Sequence, residues 1–73
     1  MTEAHESQMD KLIRMANQIA GGFDGYPEED AVRDTAEHIR AFWTPKMRRE
    51  FVAYAKQDGA RLVSRAREAA AKL

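Results

Sequence analysis

The chain has 73 residues and a mass of 8.3 kDa, so we predict a single domain over residues 1–73. Its 12 basic and 12 acidic residues give a net charge of zero, which argues against binding nucleic acid through overall charge. The chain has no cysteine, which excludes disulfides and thiolate-held zinc or iron–sulfur clusters within it. Because so small a core rarely supplies more than about 3–5 kcal/mol, we expect a partner protein to support it.

The N-terminus, residues 1–6, is polar and acidic, and we predict that it is frayed, with His5 solvated. It does not resemble a signal peptide, and no stretch approaches the roughly 20 apolar residues of a membrane span. These features predict a cytoplasmic protein without a membrane partner.

The first helix is predicted to begin at Ser7, because Ser7 and Asp10 resemble a capping box. Apolar residues then recur at helical spacing: Met9, Leu12, Ile13, Ala16, Ile19 and Ala20. Met15 widens this stripe, so we expect the helix to contact two neighbours. The opposite face, with Arg14, Asn17 and Gln18, is either a polar contact with a partner or an ordinary solvated face. Gly21 and Gly22 are expected to end the helix in left-handed geometry.

The second helix is predicted to start with Pro27 in its first position and to run to Trp43. The acidic residues at 28–30 suit the positive end of the helix dipole, and no histidine lies close enough in sequence to make a metal site with them. One face is apolar: Val32, Thr35, Ala36, Ile39, Phe42 and Trp43. His38 lies beside that stripe, where a packing or hydrogen-bonding role is expected.

Thr44 and Pro45 mark a corner, at which Thr44 should cap a third helix that continues to about Asp58. Its inner face is predicted to be Met47, Phe51, Tyr54 and Ala55, with Val52 as an exposed aliphatic residue among basic groups. We expect Phe42 in the core, and Trp43 shared between the core and a partner. The positive cluster near the corner is Arg40, Lys46, Arg48 and Arg49. It either meets acidic side chains or helix C-terminal carbonyls of a partner, or is a solvated face.

A fourth helix is predicted over residues 60–73, with a stripe that is mostly alanine: Leu62, Val63, Ala66, Ala69, Ala70 and Leu73. Such a stripe buries little area, so we predict that this helix is the least stable one in isolation and is fixed by docking on a partner. The overall expectation is an all-α fold, a small bundle of three principal helices with a fourth C-terminal helix.

Two blocks carry a family resemblance: L-I-R-M-A-N-Q-I at residues 12–19 and H-I-R-x-F-W-x-P-x-M-R at residues 38–48. Together they resemble the delta subunit of the soluble, NAD-dependent, molybdenum-containing formate dehydrogenases. The resemblance implies a non-catalytic accessory subunit that associates with the large catalytic, molybdenum-binding subunit. It also implies that this chain holds no cofactor, and that partner subunits carry the molybdopterin, iron–sulfur clusters, FMN and NAD.

The candidate partner-binding residues are therefore the polar face of the first helix and the aromatic, basic corner: Arg14, Met15, Asn17, Gln18, His38, Arg40, Trp43, Lys46, Arg48, Arg49 and Val52. Two alternatives stay open, a transient maturation factor for cofactor insertion into the large subunit and an unrelated helical adaptor or homodimer. An independent enzyme is the poorest interpretation, because two distant histidines and an unpartnered Ser64 form no catalytic constellation.

Overall fold

The computed structural model describes residues 6–73, and this part of the chain folds into four helices without a strand. The helices are α1 (Gln8–Gly21), α2 (Glu28–Phe42), α3 (Pro45–Gln57) and α4 (Ser64–Ala70). This architecture confirms the prediction of an all-α fold with three principal helices and a fourth C-terminal helix. None of the four is both long and apolar enough to cross a bilayer, the longest having 15 residues.

Local capping rules explain two of the helix starts. The Ser7 hydroxyl accepts a bond from the Asp10 amide (3.0 Å), and the Asp10 carboxylate accepts one from the Ser7 amide (3.3 Å), which confirms the capping box. Thr44 caps α3 by accepting from the Met47 amide (3.2 Å), with Pro45 in the first position as predicted. Pro27 instead lies one residue before the start of α2.

The end of α1 differs from the prediction. Gly22 is right-handed, with φ −66°, and its amide donates to the carbonyls of Gln18 and Ile19, both at 3.1 Å. The right-handed turn continues beyond the helix, because the Asp24 amide bonds back to the Gly21 carbonyl (3.3 Å). The left-handed glycine of this loop is Gly25, with φ 93°. The expectation of left-handed geometry at Gly21 and Gly22 is therefore wrong.

The C-terminal segment is helical over a shorter range than predicted. Residues 60–63 form a turn in which the Leu62 amide bonds to the Gly59 carbonyl (3.1 Å), and Gly59 is left-handed with φ 66°. Val63 is extended and immediately precedes α4. The predicted apolar stripe of this segment is therefore not continuous, because Leu62, which lies in the turn, is buried while Val63 is exposed.

The core draws side chains from all four helices and from the turn before α4. Its largest members are Phe51, Leu12, Ile39 and Trp43, and the alanines of α4 complete it. α1 contacts the three other helices, one more than predicted, whereas α2 and α3 barely contact each other. α4 packs between them, and Ala66, Ala69 and Ala70 are buried there. The outer face of α3 is exposed along part of its length.

The described residues also include Glu6, which was expected to be frayed. Its carboxylate instead forms a two-pronged ion pair with the Arg14 guanidinium, at 2.7 and 2.8 Å. The expectations for residues 1–5, including a solvated His5, lie outside the described part of the chain.

Candidate functional site

On α1, the structure divides the predicted polar face. Gln18 is exposed, and Arg14 pairs with Glu6 as described above. Met15 is half-buried against the core, at the edge of the apolar stripe. Of the four α1 candidates, Gln18 and the outer side of Arg14 are therefore accessible to a partner.

Asn17 serves the fold of this chain. Its side-chain amide donates to the Arg61 carbonyl (3.0 Å), and its side-chain oxygen accepts from the Val63 amide (2.9 Å). The Tyr54 hydroxyl accepts from the Arg61 amide in the same turn (3.1 Å). Asn17 thus fastens the segment before α4 to α1, which the sequence pattern did not indicate. Its predicted role as a free polar contact is replaced by an internal one.

The Arg61 side chain adds an ion pair to this fastening. Its guanidinium lies 2.6 Å from the Asp10 carboxylate. That hydrogen bond, together with the bonds from Ser7, holds the pKa of Asp10 below its ordinary value. The N-terminal cap of α1 and the turn before α4 are therefore electrostatically joined.

The aromatic corner buries one of its two adjacent rings. Trp43 is 4% exposed, and its ring meets Phe51 edge to face at a centroid distance of 5.3 Å. Phe42 is 74% exposed, so its predicted core position is wrong. Trp43 leaves the helix in extended geometry, φ −95° and ψ 145°, which turns its side chain inward, and α3 does not pack on α2 to cover Phe42. Trp43 belongs to the core of this chain, and Phe42 is the aromatic residue available at the surface.

His38 lies one helical turn before Phe42 and is exposed. The two rings stack in a tilted arrangement, with centroids 4.7 Å apart. This pair forms an aromatic patch at the C-terminal end of α2. His38 therefore packs as predicted, but it does so at the surface, against Phe42, which was expected to be buried.

The basic corner also divides into internal and free groups. Arg48 donates to the main-chain carbonyls of Trp43 (2.7 Å) and Arg40 (3.3 Å), where it closes the C-terminal end of α2. Arg40 bonds to the Glu37 carboxylate (2.6 Å) and to the Lys72 carbonyl (2.7 Å). The cation-to-carbonyl contact that the sequence suggested for a partner is thus made within this chain.

The remaining basic candidates lie on the exposed side of α3. Lys46 is 3.9 Å from the Glu50 carboxylate, and Arg49 is exposed with no ion pair among residues 6–73. Val52 is half-buried rather than exposed, because it lines a groove along the outer face of α3.

This depression, which we call the α3 groove, has a volume of about 560 Å³. Its lining residues are Pro45, Arg48, Arg49, Val52, Ala53, Lys56 and Leu73. A smaller cleft of about 210 Å³ continues it toward α4, shares Val52 and Lys56, and adds Ala55, Arg67, Ala70 and Ala71. Of these residues, Arg48, Arg49 and Val52 were predicted as partner-binding residues, whereas Lys56, Arg67 and Leu73 were not. Lys56 lies one turn after Val52, a spacing that could have indicated it.

Arg65 is a further residue that the sequence pattern did not indicate. Its side chain is 16% exposed, and its guanidinium forms parallel bonds to Glu28, both 2.9 Å, and one to Asp24 (2.8 Å). It also donates to the Ala20 carbonyl. Arg65 therefore ties α4 to the loop between α1 and α2, and its hydrogen bonds hold the pKa of Glu28 below its ordinary value. No periodicity could have indicated a contact across 37 residues.

The buried polar side chain within residues 6–73 is Thr35, whose hydroxyl bonds to the Ala31 carbonyl one turn earlier (2.7 Å). Over the same residues, no group of three or more histidine, aspartate or glutamate side chains is arranged to hold a metal. What the described surface offers is an aromatic patch, free cations and an apolar groove.

Comparison with known families decides the relationship. The profile described as "NADH-dependant formate dehydrogenase delta subunit FdsD" matches residues 11–70. The chain belongs to this delta-subunit family. No curated protein and no solved structure matches the chain significantly. The matched range contains both sequence blocks that carried the resemblance. It also includes the aromatic patch, all of the α3 groove except Leu73, and all of its continuation except Ala71. The delta-subunit relationship predicted from those blocks is thereby confirmed.

Proposed function

We propose that this delta-family chain is a non-catalytic accessory subunit of a cytoplasmic NAD-dependent formate dehydrogenase. In this role it supports the assembly or stability of the large, molybdenum-binding subunit. The observation that carries the proposal is the family match over residues 11–70. The complex would oxidise formate to carbon dioxide and reduce NAD, with the reacting groups held by other chains.

The residues of this chain support the division of labour. It has no cysteine to ligate an iron–sulfur cluster. Within the described range, no three histidine, aspartate or glutamate side chains are grouped as metal ligands. Molybdopterin, iron–sulfur clusters, FMN and NAD are therefore assigned in this proposal to the partner subunits.

The surface supports a binding role. Among the described residues, Phe42 is the most exposed of the large hydrophobic side chains, and it stacks on His38 rather than on another element of this chain. The α3 groove adds a half-buried apolar strip bordered by cations. Exposed aromatic and apolar surface of this kind is typical of sites that a partner protein covers.

The test is co-expression of the other formate dehydrogenase subunits with and without this chain. Size-exclusion chromatography, metal analysis and formate-dependent NAD reduction are then measured on the two preparations. We expect the chain to co-elute with the large subunit, and its omission to lower the yield of assembled, molybdenum-containing complex. Full assembly, normal metal content and normal turnover without the chain would refute an assembly or stability role.

The same preparations separate a permanent subunit from a transient maturation factor. A permanent subunit remains at one copy per large subunit in the purified complex, whereas a maturation factor is present during expression but is absent from the metal-loaded product. An adaptor or homodimer unrelated to the enzyme would form concentration-dependent oligomers alone and would not co-elute with any of its subunits.

A further inference from the structure

The α3 groove and its continuation are lined by most of the cations that have no ion pair within residues 6–73. Of the 12 lysines and arginines in the chain, six form ion pairs within residues 6–73: Arg14, Arg33, Arg40, Lys46, Arg61 and Arg65. Four of the other six line the groove or its continuation: Arg48, Arg49, Lys56 and Arg67. Among the described lining residues there is no carboxylate side chain. A chain of zero net charge therefore presents a positive strip here.

Two of these cations are held in place by this chain. Arg48 bonds to the carbonyls at the end of α2, and Arg67 donates to the Gly59 carbonyl (3.2 Å). Side chains that are already ordered lose less conformational entropy when they meet a partner. Arg49 and Lys56 are exposed along the same face of α3 and extend the strip.

The residues between the cations of the groove and its continuation are apolar, and most of them have small side chains. Val52 and Leu73 are half-buried, and Ala53, Ala55 and Ala70 are the small residues beside them. Small side chains let another helix approach closely. α3 has 13 residues, so the strip offers roughly 20 Å of helix length for contact. An apolar strip of this kind, bordered by charge, is what an amphipathic helix recognises when it binds in a groove.

We propose that the α3 groove binds an acidic amphipathic helix of the large formate dehydrogenase subunit. The apolar side of that helix would cover Val52 and Leu73, and its carboxylates would meet Arg49 and Lys56. The inference rests on the proposed function and adds the docking surface and the chemistry of the segment bound. A single-stranded nucleic acid fits less well, because the described lining holds no aromatic ring on which bases could stack.

The test compares two double charge reversals of equal net charge. Arg49→Glu with Lys56→Glu reverses the free cations of the groove. Lys11→Glu with Lys72→Glu reverses the two exposed cations that have no ion pair in the described residues and lie outside the groove. Each full-length chain is labelled, and its Kd is measured by fluorescence anisotropy against formate dehydrogenase purified without this subunit. Circular dichroism establishes that each variant is folded.

We expect the groove variant to bind at least about tenfold more weakly than the wild type, because attraction is replaced by repulsion. The control variant should remain within about threefold of the wild type. If the wild type binds and the two variants weaken equally, or neither weakens, the groove inference is overturned while the proposed function stands. If the wild type binds no formate dehydrogenase subunit, the proposed function fails, and the inference fails with it.

A photo-crosslinking residue at Ala53 identifies the occupant directly, with the same residue at the exposed Glu37 of α2 as control. The inference requires a crosslink from position 53 to an acidic helix of the large subunit, and none to that helix from position 37. A crosslink from position 53 to nucleic acid, to a different subunit or to a second copy of this chain would overturn it.

Discussion

Asn17 allows the most direct test of how this small fold is closed. Replacing it with alanine removes two hydrogen bonds to main-chain atoms of the turn before α4, those of Arg61 and Val63. A hydrogen bond contributes about 0.5–1.5 kcal/mol net, so the pair is worth about 1–3 kcal/mol. Alanine is the better helix former by up to about 0.7 kcal/mol, which offsets part of the loss. We therefore expect Asn17→Ala to lower the free energy of unfolding by about 1–2 kcal/mol.

That loss is large for a domain of this size. A core of fewer than about 80 residues rarely supplies more than about 3–5 kcal/mol, so Asn17→Ala would remove a substantial fraction of the total. For domains of 60–100 residues, 1 kcal/mol corresponds to roughly 4–8 °C in Tm, so the midpoint should fall by roughly 5–15 °C. The turn at residues 59–63 should lose amide-exchange protection first, because its link to α1 is gone.

The assay is urea unfolding followed by fluorescence of Trp43, the single tryptophan, which is buried against Phe51. Circular dichroism supplies a second probe to establish two-state behaviour. Gln18→Ala is the matched control, because it removes an exposed side-chain amide from the next position of the same helix. The control should change the stability by less than about 0.5 kcal/mol. Equal midpoints for the two variants would refute the structural role of Asn17.

Four further variants, each at a single position, test other features of the fold. Gly59→Ala should lower the free energy of unfolding by about 1–2 kcal/mol or more, because φ is 66° and the new Cβ would lie 3.0 Å from a main-chain oxygen. Gly21→Ala lies in a helix with open space around it and should raise the free energy of unfolding by about 0.5–1 kcal/mol. Both changes are measured by thermal unfolding. Arg65 lowers the folded-state pKa of Glu28. The stability that the Glu28 carboxylate contributes is therefore complete above its unfolded pKa of 4.5, and is lost as the pH falls from there through the folded-state pKa. Glu28→Gln should flatten that part of the stability–pH curve. Phe42→Ser should change the free energy of urea unfolding by less than about 0.5 kcal/mol, and a larger loss would show that the ring is covered in solution.

Helix α2 starts one residue later and α4 four residues later than predicted, but the sequence predicted the starts of α1 and α3 correctly. The bonds that define them join residues three apart, as between Ser7 and Asp10 or between Thr44 and Met47. The physical cause of each start is therefore contained in a short segment of sequence. The inner faces of α1 and α3 were predictable for a related reason, since a helical period fixes which side chains share a side.

The burial of Phe42 and Trp43 at the corner between α2 and α3 was harder to predict. Adjacent residues of a helix point about 100° apart, and the helical period alone does not say which of the two is covered. The outcome depends on the extended geometry of Trp43 and on the near absence of packing between α2 and α3. Both are properties of the tertiary arrangement. An aromatic pair at the end of a helix therefore requires knowledge of where the next helix turns.

The polar contacts between distant segments could not be predicted at all. Asn17 reaches main-chain atoms 44 and 46 residues away, and Arg65 reaches Ala20, 45 residues away. Every residue has the same main-chain donors and acceptors, so the sequence does not show which of them a side chain will bond. An asparagine that hydrogen-bonds to a distant turn therefore has the same sequence signature as one that faces solvent. The same is true of Arg48, whose acceptors are carbonyls.

This division of polar residues affects how assembly-defective variants should be interpreted. Asn17 and Arg48 lie in the two sequence blocks that identify the family, yet in the structure both bond to main-chain atoms of their own chain. A variant of either residue can reduce complex formation by unfolding the subunit, without removing a contact to the partner. Arg49 and Lys56 have no such internal bonds within residues 6–73, so a loss of binding in their variants, at unchanged stability, reports on the interface itself.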